Sequence, residues 1–361
     1  LNPSSNPNSL SVIPHSRPTL GKEEIRRAAE VIESGHIAQG EMVREFENAF
    51  AAGIGVNAAA AVSSGTAAVH LTLLGMDIGA GDEVIMPSFV CSALLNAVHY
   101  TGATPVPADI HPHTYNLDPA DVKKRITVRT RAIIVPHLFG LPADLDALLR
   151  LNVPIIEDCA QAGGSTYKNR SVGVFGHAAI FSFYATKVMT TGEGGIIVSG
   201  SKTLIDRVRN LRQYDNCEEY KIRYNYKMTD IQAALGLSQL EHLEDFIRCR
   251  RKIAERYYLA FKGCGLQLPH RDPGHIYFRF VIESATNAVT WIQAAAAKKI
   301  TCSQPVHKPL HRLLKFEGYP HTDHAWQQSI SVPIYPSLTE KELERIIDGV
   351  VNLAEGRKGA Q

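Results

Sequence analysis

The 361-residue chain has no apolar run long enough to cross a bilayer as a helix, so no membrane anchor of that kind is expected. Its six cysteines, Cys91, Cys159, Cys217, Cys249, Cys264 and Cys302, include no C-x-x-C pair. That excludes a zinc ribbon or a thioredoxin-like motif and points to reduced, mostly buried thiols in a cytoplasmic protein. Charge of one sign is also missing. With 38 Lys and Arg against 36 Asp and Glu the net charge is +2, histidines neutral, and no block of like charge suggests a nucleic-acid arm. No basic helix-turn-helix is evident either. His307, His311, His321 and His324 follow no standard ligand spacing and no carboxylate cluster completes them, so no metal site is expected. The opening "LNPSSNPNSLSVIPHSRP" lacks the charged and apolar regions of a signal peptide. Residues 1–18 are expected to form a loose polar arm, trimmed at its start because residue 1 is Leu.

What is present is a rhythm. "TLGKEEIRRAAEVIESGH" and "EMVREFENAFAAGIG" read as helices, the first with acidic residues in its first turn. From about residue 57, short apolar runs alternate with helical stretches: "AAAAVSS", "DEVIMPS", "TPVPADI", "RAIIVPHLFG", "VPIIEDCAQ", "AAIFSF" and "GGIIVSG". This is the signature of an α/β fold, a mostly parallel sheet covered by helices on both faces. "MTDIQAALGLSQLEHLEDFIRCRRKIAERYYLAF" holds one long helix or two. Beyond it, "HIYFRFVIES" reads as a strand and "TEKELERIIDGVVNLAEG" as a terminal helix of a smaller α+β unit. The expected division is residues 1–18 (arm), 19–245 (large domain) and 246–361 (small C-terminal domain).

In "FSFYATKVMTTGEGGIIVS", Lys187 stands between an apolar strand and a glycine-rich turn. Such a lysine either snorkels to solvent from the strand end or is partly desolvated. A desolvated lysine has a lowered pKa and serves as an amine nucleophile, forming a Schiff base with a carbonyl substrate or with pyridoxal phosphate (PLP). A PLP site also needs an acid for the ring nitrogen and a phosphate cradle. Asp158 closes the apolar run in "VPIIEDCAQAGGS", at a strand's carboxyl end, where open α/β sheets bind ligands. Its alternative role is a helix cap. In "VSSGTAAVHLTLLG" a strand runs through Ser64, Gly65 and Thr66 into a helix, whose free N–H groups attract phosphate. Ser182, five residues before Lys187, offers another hydroxyl.

With these segments go "SGHIAQGEMVREFENAFAAGIGV", "GAGDEVIMPSF", "NAVHYTGATPVPADI", "IIEDCAQAGGSTYKNRSVGVFG" and "YNYKMTDIQAALGLSQLEHL". Taken together, the chain resembles the DegT/DnrJ/EryC1/StrS family of PLP-dependent sugar aminotransferases over nearly its whole length. The resemblance implies a fold-type-I aminotransferase, its large domain built on a mostly parallel seven-stranded sheet. It implies that Lys187 carries the cofactor and shuttles the substrate proton, that Asp158 binds the pyridine nitrogen, and that Gln161 sits near the ring hydroxyl. Ser64, Gly65, Thr66 and Ser182 would hold the phosphate. Asn225 would reach the phosphate of a neighbouring subunit, making a homodimer with shared sites. Two positions depart from the family pattern. Cys91 stands where many members have an aromatic that stacks on the cofactor, and His177 where relatives are often acidic.

The resemblance further implies glutamate as amino donor and a nucleotide-linked keto sugar as acceptor. Candidate substrate contacts are Gln39 in "GHIAQG", His177, Arg223, Lys227, and the "QPVHKPLHRLLKF" loop with His307, Lys308, His311 and Arg312. That loop is otherwise a solvated surface segment. A cyclitol ketone is an alternative acceptor. A sugar dehydratase is disfavoured because such relatives replace the lysine with histidine. A non-catalytic binding protein on the same fold would have no use for a lysine and aspartate so placed.

Overall fold

A computed structural model describes residues 11–215 and 217–356. Two helices lead, α1 (Lys22–Ser34) and α2 (Glu41–Ile54). Glu24 folds back onto the Gly21 N–H to close the start of α1. Then come β1 (Ala58–Val62), α3 (Gly65–Gly75), β2 (Glu83–Pro87), α4 (Ala93–Thr101) and β3 (Thr104–Ala108). They are followed by α5 (Pro119–Arg125), β4 (Thr130–Pro136), α6 (Leu145–Leu149) and β5 (Ile155–Asp158). A small hairpin, β6 (Thr166–Tyr167) and β7 (Arg170–Ser171), precedes β8 (Ala178–Ser182) and β9 (Gly195–Ser199). Next are α7 (Lys202–Leu211), α8 (Asp230–Glu241) and α9 (Leu243–Phe261). The chain finishes with β10 (Phe280–Glu283), α10 (Ala288–Ala297), α11 (Leu310–Leu314), α12 (Pro320–Gln328), β11 (Ser329–Val332) and α13 (Glu340–Ala354).

The main sheet has seven strands in the order β1-β9-β8-β5-β4-β2-β3. Pairings among β8, β5, β4, β2 and β3 are parallel, whereas β9 runs antiparallel to both β8 and β1. β1 therefore points the same way as β8, and both end on one edge of the sheet. Central strands such as Ile133–Val135 are unbroken apolar runs because both faces are covered. On one face Leu71, Val98 and Ile205 pack from α3, α4 and α7. On the other, Phe46 and Phe50 of α2 meet Phe181 and Phe183 edge to face, at centroid distances of 4.9 to 5.6 Å.

A further core joins Tyr257, Phe261, Phe280, Ile330 and Ile346. Helix α9 serves two cores. It gives Leu243, Phe246 and Ile247 to the sheet side and Ile253, Tyr257 and Phe261 to this one. The division expected at 245/246 thus falls within the first turn of a continuous helix. The long helical segment resolves into two helices separated at His242. Two expectations need correction. The arm is not loose as far as residue 18: Ile13 is fully buried and pairs with Lys299 and Thr301 through backbone hydrogen bonds, because an apolar side chain there fills the second core. Residues 1–10 of that arm lie outside the described residues. The "HIYFRFVIES" strand is also shorter than expected, since Tyr277 adopts a left-handed φ of 51° and only Phe280–Glu283 is extended.

Phe50 supports β8 from beneath and touches no polar group of the cleft. Phe50→Ala is expected to lower stability by about 3–5 kcal/mol, read as a fall in the urea midpoint.

Candidate active site

The register of three strands builds one wall. Val62 pairs with Gly195, and Gly195 pairs with Ser182, so the ends of β1 and β8 flank the start of β9. The turn after β1 crosses over Gly195 to reach Ser182. A Cβ on Gly195 would stand 2.5 Å from the Ser64 carbonyl oxygen, and one on Gly65 would stand 2.8 Å from Ser182 Cβ. Both positions need glycine for this close approach. Ser64 Oγ accepts the Ala67 N–H at 3.1 Å and so caps α3. The Gly65 and Thr66 N–H groups open the same helix and, among the described residues, have no acceptor. The result is a cradle of two free N–H groups, the Thr66 and Ser182 hydroxyls and a helix N-terminus, which suits a phosphate dianion.

Asp158 ends β5, beside Ile180 of β8, and is 8% exposed. Its Oδ1 accepts the Ala160 N–H at 2.9 Å. Burial pushes its carboxyl above the usual range, against the pull of that N–H and of the nearby Lys187. Lys187 follows β8 in a loop tied by Thr191 N–H and Thr190 Oγ1 to the Phe183 carbonyl, at 2.9 and 3.0 Å. Gln239 of α8 fixes the loop from behind by accepting the Thr190 N–H at 3.2 Å. Lys187 is half-buried, with its amine 5.3 Å from the centre of the Phe278 ring. Burial lowers its pKa, Cys91 and Asp158 oppose that, and Arg279 adds to it. Cys91 sits in the loop after β2. Its side chain meets solvent in the single chain, yet the packed atoms around the thiol push its pKa up. Lys187, Asp158 and Cys91 thus share one cleft on the carboxyl edge of the sheet. Phe89, the aromatic nearest Cys91 in sequence, is turned into the core against Tyr115 and Phe139.

Behind Asp158 lies a polar node that the sequence did not announce. Glu157 accepts N–H groups from Gly173, Phe175 and Gly176 at 2.7 to 2.8 Å and pairs with His137 Nε2 at 3.1 Å. His137 Nδ1 accepts the Ala143 N–H at 3.1 Å, which leaves the proton on Nε2 to be donated to Glu157. Cys159 completes a compact His-Glu-Cys group. Its histidine nitrogens and carboxylate oxygens are already engaged within the chain, and burial keeps the Cys159 thiol protonated.

The other sequence candidates scatter. Gln161 flanks the cleft; its Oε1 accepts the Phe139 N–H at 2.9 Å, leaving the amide NH2 free to donate. Asn225 is exposed and, among the described residues, bonds to nothing, on a segment held to Ser63 by the Tyr226 carbonyl. Arg223 is tied to Asn210 and the Glu219 carbonyl. Lys227 lies over the Tyr214 ring. Gln39 lines a cavity of about 900 Å³ between α1, α2 and α8, and its Oε1 is buried without a partner. Lys187 and Asp158 do not line that cavity. His307 and Lys308 are exposed, but their loop is fastened to the sheet edge through Leu310 N–H and the Ser88 carbonyl at 2.8 Å. His311 is buried against Ser88, and Arg312 pairs with Asp323. His177 is the remaining candidate, a substrate contact or a structural histidine at a strand start. It is exposed at the start of β8, the opposite end of the strand from Ser182, so within this chain it lies on the far edge of the sheet. Two residues that sequence reasoning missed are Arg279, which shares the Phe278 ring with Lys187 and acts on its charge, and His15, which touches Arg279. The only available signal was a charge inside the aromatic run "IYFRF".

A phosphate cradle, a desolvated amine and a buried carboxylate on one edge fit pyridoxal 5'-phosphate, and together with the fold they define a PLP-dependent aminotransferase. The chain belongs to the DegT/DnrJ/EryC1/StrS aminotransferase family, whose model matches residues 18–351. It is 36% identical to the spore coat polysaccharide biosynthesis protein SpsC of Bacillus subtilis (strain 168), over 95% of this chain and 97% of that one. It is also 36% identical to GDP-perosamine synthase of Escherichia coli O157:H7, over 94% and 98%. Among solved structures it resembles S. venezuelae DesV in complex with a ketimine intermediate, with 34% identity, a TM-score of 0.87 and coverage of 92% and 94%. It also resembles the PLP form of the putative sugar aminotransferase Spr1654 from Streptococcus pneumoniae, with 27% identity, a TM-score of 0.90 and coverage of 96% and 100%.

Burial alone would raise the Glu157 carboxyl, but His137 and the backbone N–H groups hold it below its ordinary 4.5. Its stabilising contribution is therefore complete above about pH 4.5 and is lost as pH falls through the depressed value. Glu157→Gln turns an NH2 against N–H donors. It is expected to cost about 3 kcal/mol at pH 7 and to flatten the loss of stability below pH 4.5, measured by urea titration across pH.

Proposed function

We propose that this aminotransferase moves an amino group from glutamate to the keto group of a nucleotide-linked sugar, forming an amino sugar. The single observation that carries the catalytic reading is the shared cleft of Lys187 and Asp158 beside the Gly65–Ser182 cradle. The sugar and its nucleotide are supported by the 36% identity to GDP-perosamine synthase over 94% of this chain.

Bound in the cleft, PLP supplies an electron sink for the charge left when a proton leaves the amine-bearing carbon. The protein does the rest. Gly65 and Thr66 N–H groups and the Thr66 and Ser182 hydroxyls anchor the phosphate; Ser64 keeps the helix end in shape by capping it. Asp158 would hold the ring nitrogen protonated, and its own buried setting would strengthen that attraction because little water screens it. Gln161, oriented by the Phe139 N–H, would offer its NH2 to the ring hydroxyl. The Lys187 amine, its pKa lowered by burial, takes the proton from the donor carbon and returns it on the other side. Cys91 gives the ring a small, polarizable neighbour. Gln39, Arg223, His307 and Lys308 are retained as sugar-nucleotide contacts, Gln39 because its buried Oε1 lacks a donor.

Asn225 completes the neighbouring site in a homodimer. This is supported by its exposed side chain, which bonds to no other described residue, and by the exposed Tyr100, Tyr214, Tyr220 and Ile222. A surface so rich in large apolar groups suits a second copy of the chain.

With ¹⁵N-glutamate and a panel of nucleotide-linked keto sugars, mass spectrometry should find the label in the sugar. Lys187→Ala and Asp158→Asn should each lower turnover by at least about 100-fold. Borohydride treatment of PLP-loaded wild type should leave the cofactor's mass on the peptide containing Lys187, and Lys187→Ala should show none. A wild-type protein without that adduct would refute the proposal.

A further inference from the structure

Among the described residues, three buried or half-buried guanidinium groups line the interior, and two of them give Nη1 to anionic or carbonyl oxygens of the chain, although each leaves its Nε without a partner. Arg212 pairs with Glu47 and the Ala61 carbonyl. Arg250 donates to the carbonyls of Phe278 and Ile334 at 3.1 and 2.8 Å. Arg279 is different. Its Nη1 reaches only the ring of His15, at 3.0 to 3.1 Å, and among the described residues no carboxylate pairs with it. Arg279 is half-buried, so its charge is only partly screened by water and is left open to an incoming anion.

Its surroundings say where that partner comes from. The Arg279 guanidinium carbon lies 5.2 Å from the centre of the Phe278 ring, and the Lys187 amine lies 5.3 Å from the same centre. Arg279, Phe278 and His15 line one small crevice with Thr186, the residue that precedes Lys187 in the chain. Arg279 Nε and Nη2 have no bond within the described chain, so two N–H directions of the fork remain open. His15 is itself held by Ser331 and Ser303, with contacts of 2.8 and 3.1 Å at its Nε2. Burial, with the charge of Arg279, lowers His15 to about 3, so it is neutral at physiological pH and orients the guanidinium without cancelling its charge. Arg279 is lowered by burial only to about 10 and stays charged.

We propose that Arg279, positioned by His15, binds a carboxylate of the amino-acid donor in the Lys187 cleft. This rests on the aminotransferase reading above and deepens it. Connectivity favours the donor over the sugar. An amino acid carries its α-carboxylate on the same carbon as the reacting amine, whereas the diphosphate of a nucleotide-linked sugar is attached several bonds from a keto carbon elsewhere on the ring. A planar fork facing a carboxylate forms charge-assisted, often bidentate hydrogen bonds.

The test uses PLP-loaded protein and glutarate, a dicarboxylate with no amine, titrated by calorimetry. Arg279→Met should weaken glutarate binding by about 10- to 100-fold. It should raise the KM for glutamate by a similar factor, leave the KM for the keto sugar within about twofold, and retain the borohydride adduct on Lys187. Arg279→Lys, which keeps the charge but loses the fork, should fall between. His15→Asp, which supplies an internal carboxylate, should weaken glutarate as Arg279→Met does. Glutamine as donor separates the two carboxylates: an equal loss with glutamine and glutamate assigns the α-carboxylate, and a loss confined to glutamate assigns the distal one. Wild type that binds no glutarate, a glutarate affinity unchanged in Arg279→Met, or a loss that falls on the sugar's KM would each overturn the inference. If glutarate binding depends on Arg279 but no nucleotide-linked sugar is aminated, the proposed acceptor fails and the Arg279 site stands.

Discussion

A half-buried amine and a buried carboxylate close enough to feel one another's charge are the constraint on which this molecule is organised. Burial drives Lys187 towards the neutral form and drives Asp158 towards the neutral form as well. Their mutual attraction pulls both back. The balance leaves an amine that can lose its proton and an acid that can still hold a positive nitrogen. Neither property belongs to the residue type alone. A lysine on a solvated helix keeps its proton, and an aspartate on a surface turn is screened by water.

The rest of the sheet edge maintains that balance. β1 and β8 point the same way because β9 runs between them in the opposite direction, and that arrangement delivers the cradle and the lysine loop to a single edge. Gly195 and Gly65 allow the turn to pass where a side chain would collide. Glu157, one residue from Asp158 and turned to the other face of the strand, gathers the His137 ring and three loop N–H groups, and so fixes the end of β5 from behind. Arg279 adds a second positive charge to the cleft. It further disfavours the protonated lysine and leaves the site short of one anion, which a carboxylate substrate brings with it.

Much of this was legible in one dimension. The alternation of apolar runs and helices announced an α/β sheet; Asp158, Gly65 and Ser182 stood out because each ends a strand or opens a helix, and Lys187 because it is a cation in the turn after an apolar strand. His177 was left between two readings because a strand-start histidine looks the same in sequence whichever edge it faces. His307 and Lys308 were read as either substrate contacts or a solvated loop, and within the single chain their side chains stay in solvent. Arg279 went unnoticed: it lies in a run that reads as a strand, and Tyr277 breaks that strand with a left-handed turn that no local propensity requires. The arm looked loose because polar residues surround Ile13, although one apolar side chain was enough to seat it in the second core.

The sequence alone determined the order of elements, the burial of both sheet faces and the chemical types available at the strand ends, because periodicity and apolar content act over a few residues. Only the tertiary structure decided which of those ends meet. His15 and Arg279 lie 264 positions apart and touch. Val62, Gly195 and Ser182 form one row across three strands. Such meetings follow from packing, which joins segments by the surface they bury together, and no local pattern records which distant segment will be the neighbour.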